Sequence, residues 1–289
     1  VDTPEVTAED RATLSRLHVA LAIDLPPDIT TIAPDLRWVQ AVGSGTGQLQ
    51  GCGLEEAGIT LTSNGGANAI GIAEFAFGRL IEARKHFPAI ARRADQHRWD
   101  PVYGDQLSGQ TIGLLGYGSI NRAVATRAAA FEMTVLALRR TPDCPPEEPV
   151  DRFYGPDDLH EMLGRCDAVI AAVPDTPEAE GMMDDAAFAA LPRGAFFANV
   201  GRGTLVDETA LIAALESGRV GAAAIDVARV EPLPADDPLW AAPNLRISAH
   251  CSSAPTELLP TVHRLFRENL RRFLDGEPLR STVSTDHGY

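Results

Sequence analysis

From residue 111 onward the chain alternates short apolar runs with helix-like segments. This rhythm constrains the fold more than any other feature. The runs are 111–115, 134–138, 167–173, 195–200, 222–226 and 245–248, and helical patterns at 119–131, 156–163, 184–191 and 207–217 lie between them. Strands that are apolar throughout are buried on both faces, and helices crossing between parallel strands do the burying. The region reads as α/β: a doubly wound parallel sheet of order 3-2-1-4-5-6.

The part before it is less regular. Segments 19–23, 38–42 and 60–62 read as short strands, and 68–97 has helical periodicity, with Pro88 placed to kink or end it. After Ala254 a last helix, 256–274, carries one apolar face formed by Leu259, Val262, Leu265, Phe266, Leu270 and Phe273. That face is expected to pack back on the first region. The expected organisation is a smaller discontinuous α/β substrate domain, 1–100 with 255–289, around a dinucleotide-binding domain, 101–254.

Gly116-Tyr117-Gly118-Ser119-Ile120-Asn121 follows the strand at 111–115 and opens a helix. Glycines there permit a tight turn and let a pyrophosphate approach the helix N–H groups, so Gly116, Gly118, Ser119 and Ile120 are candidate cofactor residues. The third glycine of that fingerprint is Asn121 here, and a tight turn without a ligand is the plain alternative. An NAD site places an acid about 20 residues further on, to bond the ribose hydroxyls. This chain has Leu138-Arg139-Arg140-Thr141 after its second strand. Two arginines and a hydroxyl suit a 2′-phosphate, so NADP is expected, with NAD possible. Solvated surface arginines are the alternative.

Three further strand ends carry chemistry. Asn199-Val200-Gly201-Arg202-Gly203 closes the fourth run, Asp226 ends the fifth with Glu231-Pro232 beyond it, and His250 follows the sixth. In the expected strand order these three are neighbours, about 4.8 Å apart, with their carboxyl ends on one edge. Arg202 can hold a carboxylate with a bidentate fork. His250 can exchange the proton of a carbonyl or hydroxyl oxygen, and Glu231 beside it would favour the imidazolium and fix its tautomer. Taken singly, each has a plain alternative: a loop cap, an exposed acid, a satisfied core histidine. Three matching roles at three adjacent strand ends favour a catalytic set.

Charge and composition exclude other classes. A formal net charge of −15 disfavours nucleic acid and anionic lipid as partners. No run is long and apolar enough for a membrane span, and the acidic start reads as no signal peptide. Cys52, Cys144, Cys166 and Cys251 lie at neither metal nor redox-pair spacing. They read as reduced thiols of a cytoplasmic protein, and no metal is expected.

At these residues the chain resembles the D-isomer-specific 2-hydroxyacid dehydrogenase family, in particular its glyoxylate/hydroxypyruvate reductase-like members. The resemblance runs from about Leu36 to the end. It is carried by Leu36–Gly45, Ile72-Ala73-Glu74-Phe75, the fingerprint at 115–121, 199–207, Ala224-Ile225-Asp226-Val227 with Glu231-Pro232-Leu233, and Pro243-Asn244 leading to His250. It implies two α/β domains, usually a homodimer, and hydride transfer between a nicotinamide and a small 2-oxo/2-hydroxy acid. It further implies that Arg202 binds the substrate carboxylate, that His250 is the acid/base and that Glu231 is its partner. Asp226 would contact the carboxamide, Pro174 would line the adenosine side, and the N–H groups of Ser44 and Gly45 would help hold the carboxylate. Three positions depart from the family pattern. Asn121 is expected to loosen the phosphate turn, Ala249 replaces a proline and is expected to shift the imidazole, and Gly47 replaces an aspartate. The first region also looks short by its first strand and helix, as a trimmed start would leave it. Two relatives of this fold compete. Formate dehydrogenase carries glutamine where Glu231 stands, and corepressor-like proteins sense the dinucleotide without turning it over.

Overall fold

The computed structural model describes residues 6–43, 45–49, 51–142 and 149–283. The chain divides into two compact units, Val1–Asn68 with Pro255–Tyr289, and Ala69–Ala254.

In the first unit helix α1 (Ala8–Leu14) starts at a capping box, in which Thr7 and Asp10 satisfy each other's backbone N–H. Strands β1 (Val19–Ala22), β2 (Trp38–Ala41) and β3 (Thr60–Thr62) form a parallel sheet in that order, with the one-turn helix α2 (Ile29–Ile32) between the first two. Every residue of the central strand is buried. The C-terminal helix (Pro255–Asp275) belongs to this unit. Its Phe266 stacks on Trp38 at 5.3 Å and its Phe273 lies 5.7 Å from the same ring. Between them Asn269, fully buried, donates to Gln40 Oε1 at 3.2 Å and to the carbonyl of Arg280 at 3.1 Å. Residues 266, 269 and 273 share one helix face, so this seam joins sequence-distant segments through aromatic packing and a satisfied buried amide.

The second unit opens with α3 (Ala69–Arg84) and α4 (Phe87–Asp95). The single periodic stretch read from the sequence is thus two helices. The break falls at His86, in the left-handed region at φ 53°, and Pro88 sits in the first turn of α4, where its missing N–H is harmless. Then come β4 (Thr111–Leu115), α5 (Ser119–Ala130), β5 (Thr134–Leu138), β6 (Arg152–Tyr154), α6 (Leu159–Leu163), β7 (Ala168–Ala171), α7 (Asp185–Ala190), β8 (Ala195–Asn199), α8 (Glu208–Glu216), β9 (Val220–Ile225) and β10 (Leu245–Ile247). All seven strands are parallel, in the order β10-β9-β8-β7-β4-β5-β6. The sequence reading missed β6, a three-residue edge strand that begins on a charge. As a result the third apolar run, 167–173, is the fourth strand. It lies directly beside β4, where the strand order reverses.

Side chains alternate between two apolar layers, as strand periodicity requires. Ile112, Leu114, Val135, Ala137 and Ile170 face α3 and α5, whereas Leu115, Leu136, Leu138 and Val169 face Met162, Phe188 and Leu211 of α6, α7 and α8. Gly113 is needed in β4 because a Cβ there would lie 2.5 Å from Cys166 Sγ. Burial, with Asp167 adding to it, pushes that thiol up to about 12. The boundary expected at residue 100 falls instead at Asn68, because α3 packs on this sheet. Its Ala73, Ala76, Phe77 and Leu80 are buried in the same layer as Val124 and Ala128 of α5, and Arg84 at its end donates to the carbonyls of Asp167 and Gly194.

Candidate active site

The strands are parallel, so their carboxyl ends share one edge, and every candidate group of the second unit lies there. At the reversal point β4 runs into Gly116, whose φ is +78° and whose Cβ would stand 3.0 Å from the carbonyl of Ala172. Only glycine meets both conditions. Gly118 caps α5 with extended backbone, and nothing lies within 4 Å of where its Cβ would be. The turn therefore leaves open space in front of the first N–H groups of α5, which have no partner within the helix. This cradle fits a pyrophosphate. Asn121 does not loosen it. The side chain is fully buried, and its Nδ2 donates to the carbonyls of Leu115 at 2.9 Å and Gly116 at 2.7 Å, tying helix to strand end.

Arg139, Arg140 and Thr141 follow β5 at the same edge. The backbone N–H of Arg139 extends the pairing onto Tyr154 at 3.0 Å, and its guanidinium lies 5.2 Å from the centre of the Phe153 ring. Arg140 and Thr141 are exposed. Pro174, exposed, follows β7. The next residue, Asp175, accepts a 2.7 Å bond from Thr204 of the β8 loop.

The Arg202 loop is built from its neighbours. Asn199 closes β8 by accepting the N–H of Gly201 at 3.0 Å and donating to the carbonyl of Arg202 at 2.8 Å. A Cβ on Gly203 would lie 2.0 Å from the Ala228 carbonyl, so the loops after β8 and β9 are in backbone contact. Arg202 is half-buried, with one Nη1 bond to the carbonyl of Gly201 at 2.8 Å.

His250 and Glu231 are in direct contact. Nδ1 of the imidazole is 2.9 Å from Glu231 Oε2, and Glu231 Oε1 accepts the N–H of Ala228 at 3.0 Å. The side chains are 57% and 40% exposed. Among the described residues Nε2 has no protein partner, so it is the nitrogen presented outward. Alanine at 249 leaves this pair intact.

Asp226 organises the loop beneath. It is 2% exposed. Its backbone carbonyl takes the N–H of His250 at 2.8 Å. Its carboxylate takes Ser248 Oγ at 2.7 Å, the N–H of Cys251 at 2.9 Å and the N–H of Ser252 at 3.0 Å. Burial pushes the Asp226 carboxyl up. The hydrogen bonds from Ser252, Ser248 and the two N–H groups outweigh this and hold it below the usual carboxylate range. The loop so folded sets His250 at φ 52°, a left-handed conformation that needs such restraint in a non-glycine residue. The sequence reading found Asp226, His250 and Arg202 but not Ser248 and Ser252 as supports of Asp226, nor Asn199 as the support of the Arg202 loop. Asn199 stood inside the quoted motif; the two serines gave no signal.

Asp226→Asn is therefore expected to loosen His250. An amide must turn its NH₂ toward at least one of these donors, losing a bond to a charged group worth about 1.5–3 kcal/mol. Turnover should fall about tenfold or more and the melting temperature by several degrees. Because the carboxyl is depressed in the folded state, its contribution to stability is full above the ordinary carboxylate range. It is lost as pH falls through the lowered value. The gap in melting temperature between the parent and Asp226→Asn should thus be open at neutral pH and close in strong acid. A gap that does not change with pH counts against this assignment.

Of the other sequence candidates, Ser44 lies outside the described residues. Gly45 lies in the loop after β2 of the first unit. Among the described residues there is no group of three or more His, Cys, Asp or Glu side chains that could hold a metal ion. Nor is any helix there long and apolar enough to cross a membrane.

A doubly wound sheet with a glycine turn after β4 at its reversal point, and a histidine–glutamate pair after β9 and β10 on the same edge, is the architecture of a dinucleotide-binding domain. Residues 77–252 match the family described as D-isomer specific 2-hydroxyacid dehydrogenase, NAD binding domain. The chain is 32% identical over 269 residues to a glyoxylate reductase of Korarchaeum cryptofilum, covering 90% of this chain and 80% of that one. It is 29% identical over 259 residues to a D-3-phosphoglycerate dehydrogenase of Archaeoglobus fulgidus, covering 89% of this chain, and it spans about half (49%) of that relative's length. A D-isomer specific 2-hydroxyacid dehydrogenase of Xanthobacter autotrophicus, solved with NADPH and MES, superposes with a TM-score of 0.83 at 31% identity over 96% of this chain and 86% of that one. The chain belongs to the D-isomer-specific 2-hydroxyacid dehydrogenase family.

Proposed function

We propose that the protein is an NADP-dependent reductase of small 2-oxo acids, and correspondingly a dehydrogenase of the 2-hydroxy acids. The observation that carries the reading is the His250–Glu231 contact at the carboxyl edge of the sheet, one strand from Arg202. The bound cofactor supplies or accepts a hydride. Reduction of a 2-oxo acid also needs one proton at the carbonyl oxygen and a counter-charge for the carboxylate. In this reading Nε2 of His250 delivers the proton, while Glu231 on Nδ1 fixes the tautomer and steadies the imidazolium. The proton returns from solvent after each turnover. Arg202 retains N–H donors beyond its bond to Gly201 and would grip the carboxylate while polarising the carbonyl. Asp226 acts through the loop it folds, since its carboxylate is bonded to Ser248, Cys251 and Ser252.

Gly116, Gly118, Ser119 and Ile120 would hold the pyrophosphate, and Pro174 would flank the adenosine. Arg139, Arg140 and Thr141 would hold a 2′-phosphate. The Xanthobacter relative's NADPH supports that choice. The Korarchaeum relative, named a glyoxylate reductase, supports a small 2-oxo acid such as glyoxylate. The homodimer that family resemblance implies would cover Trp99 and Tyr103, which are 101% and 85% exposed in the single chain.

The test is NADPH oxidation with a panel of 2-oxo acids including glyoxylate and hydroxypyruvate, repeated with NADH. Turnover is expected with NADPH and at least one small 2-oxo acid. Binding without turnover across the panel would favour a dinucleotide sensor instead. Arg139→Asp is expected to move the preference toward NADH by about tenfold or more, since each charge-assisted bond is worth about 1.5–3 kcal/mol. The parent's preference for NADPH should weaken with added salt.

A further inference from the structure

Arg139 does not stand alone at its strand end. The residue between the first two glycines of the turn, Tyr117, lies edge-on to Phe153 of β6, with ring centres 5.1 Å apart and planes at 71°. Each ring also carries a guanidinium. Arg122, one turn into α5, has its Cζ 4.8 Å from the centre of Tyr117, and Arg139 has its Cζ 5.2 Å from the centre of Phe153. Four side chains are thus joined by successive contacts: Arg122, Tyr117, Phe153, Arg139. Burial pushes the Tyr117 phenol up while Arg122 and Arg139 pull it the other way, so both positive charges act on the same hydroxyl.

Long arginine side chains give up rotamer freedom when they clasp an anion. Guanidinium groups already resting on aromatic faces have part of that freedom removed before the ligand arrives. The two aromatic rings also fix the spacing between the charges. Such a device favours a compact dianion, which a monoester phosphate is and a ribose hydroxyl is not.

Resting on the NADP reading above, we propose that Arg122 is a second arm of the 2′-phosphate site, opposite Arg139. Tyr117 and Phe153 are positioning residues that set cofactor preference by orienting the two guanidiniums. Neither ring needs to touch the cofactor for this to hold. The missed strand β6 would then be what gives the site its selectivity, because it supplies Phe153 and receives the N–H of Arg139 on Tyr154 at 3.0 Å.

The experiment is calorimetric titration of the full chain with NADPH and with NADH, without substrate, for the parent and for Phe153→Leu, Tyr117→Phe and Arg122→Gln. The parent is expected to bind NADPH more tightly. Phe153→Leu should weaken NADPH about three- to tenfold and leave NADH unchanged. Arg122→Gln, at an exposed position that does not threaten folding, should do at least as much and flatten the salt dependence of NADPH binding. Tyr117→Phe keeps the ring and should keep the preference. If Phe153→Leu and Arg122→Gln retain the parent's preference, the proposed second arm is overturned while the NADP reading stands. Equal weakening of both dinucleotides would also overturn it, as the mark of a merely structural role. A parent that binds the two equally overturns the NADP reading and this proposal together.

Discussion

His250→Gln is expected to lose about 10²–10⁴-fold in turnover while still binding NADPH. Glutamine is close in length, can donate to Glu231, and incurs a similar cost in the left-handed backbone conformation. The loop held by Asp226 should therefore persist. What disappears is the ring nitrogen proposed to hand a proton to the substrate oxygen. The proposed cofactor cradle at Gly116–Ile120 lies between β4 and the first turn of α5, and among the described residues no hydrogen bond links it to the imidazole. Calorimetric binding of NADPH is thus an independent check that the variant is folded. Near-normal turnover in the presence of intact cofactor binding would remove His250 from the chemistry.

Much of the sheet is legible in the chain because parallel strands buried on both faces must be apolar throughout. The runs at 111–115 and 134–138 are of this kind and their bounds survive in the structure, while the run at 195–200 ends one residue earlier, at Asn199. The edge strand β6 escapes that rule. It is three residues long, has one neighbour and begins with Arg152, so periodicity has nothing to detect. Missing it misplaced the run at 167–173 but not the strands that precede Arg202, Glu231 and His250. The missing strand lies at one edge of the sheet, whereas β8, β9 and β10 lie at the other, and their adjacency was inferred correctly.

The site divides in the same way. Arg202, Glu231 and His250 are visible because charged residues directly after apolar strands are conspicuous. Their supports are not, because they work through backbone N–H groups, which any residue carries: Cys251 and Ser252 on Asp226, Ala228 on Glu231, Gly201 on Asn199. Asn121 shows the opposite case. It reads as a defect in a glycine fingerprint, yet three dimensions turn it into a bond donor to two strand-end carbonyls. A composition rule for the turn could not contain that outcome, since it depends on where the carbonyl of Gly116 points.

Arg202→Gln should have the other large effect, a fall in kcat/KM of about 10²–10⁴-fold with 2-oxo acids. Two charge-assisted bonds to a carboxylate, each worth about 1.5–3 kcal/mol, amount to that range at about 1.4 kcal/mol per factor of ten. The loop itself should not collapse. It is held by main-chain groups, with Asn199 donating to the carbonyl of Arg202 at 2.8 Å and Gly203 closed against Ala228. Melting temperature and NADPH affinity should therefore stay near those of the parent. Arg202→Lys restores the charge but not the planar fork, so it should recover only part of the loss. The kinetic split tells which role dominates. A rise in KM at constant kcat means that Arg202 only anchors the carboxylate. A matching fall in kcat means that it also stabilises charge growing on the carbonyl oxygen. Because the side chain follows β8, one strand from the His250–Glu231 pair, both effects are expected together. Unchanged kcat/KM across the 2-oxo acid panel would show that the carboxylate is held elsewhere.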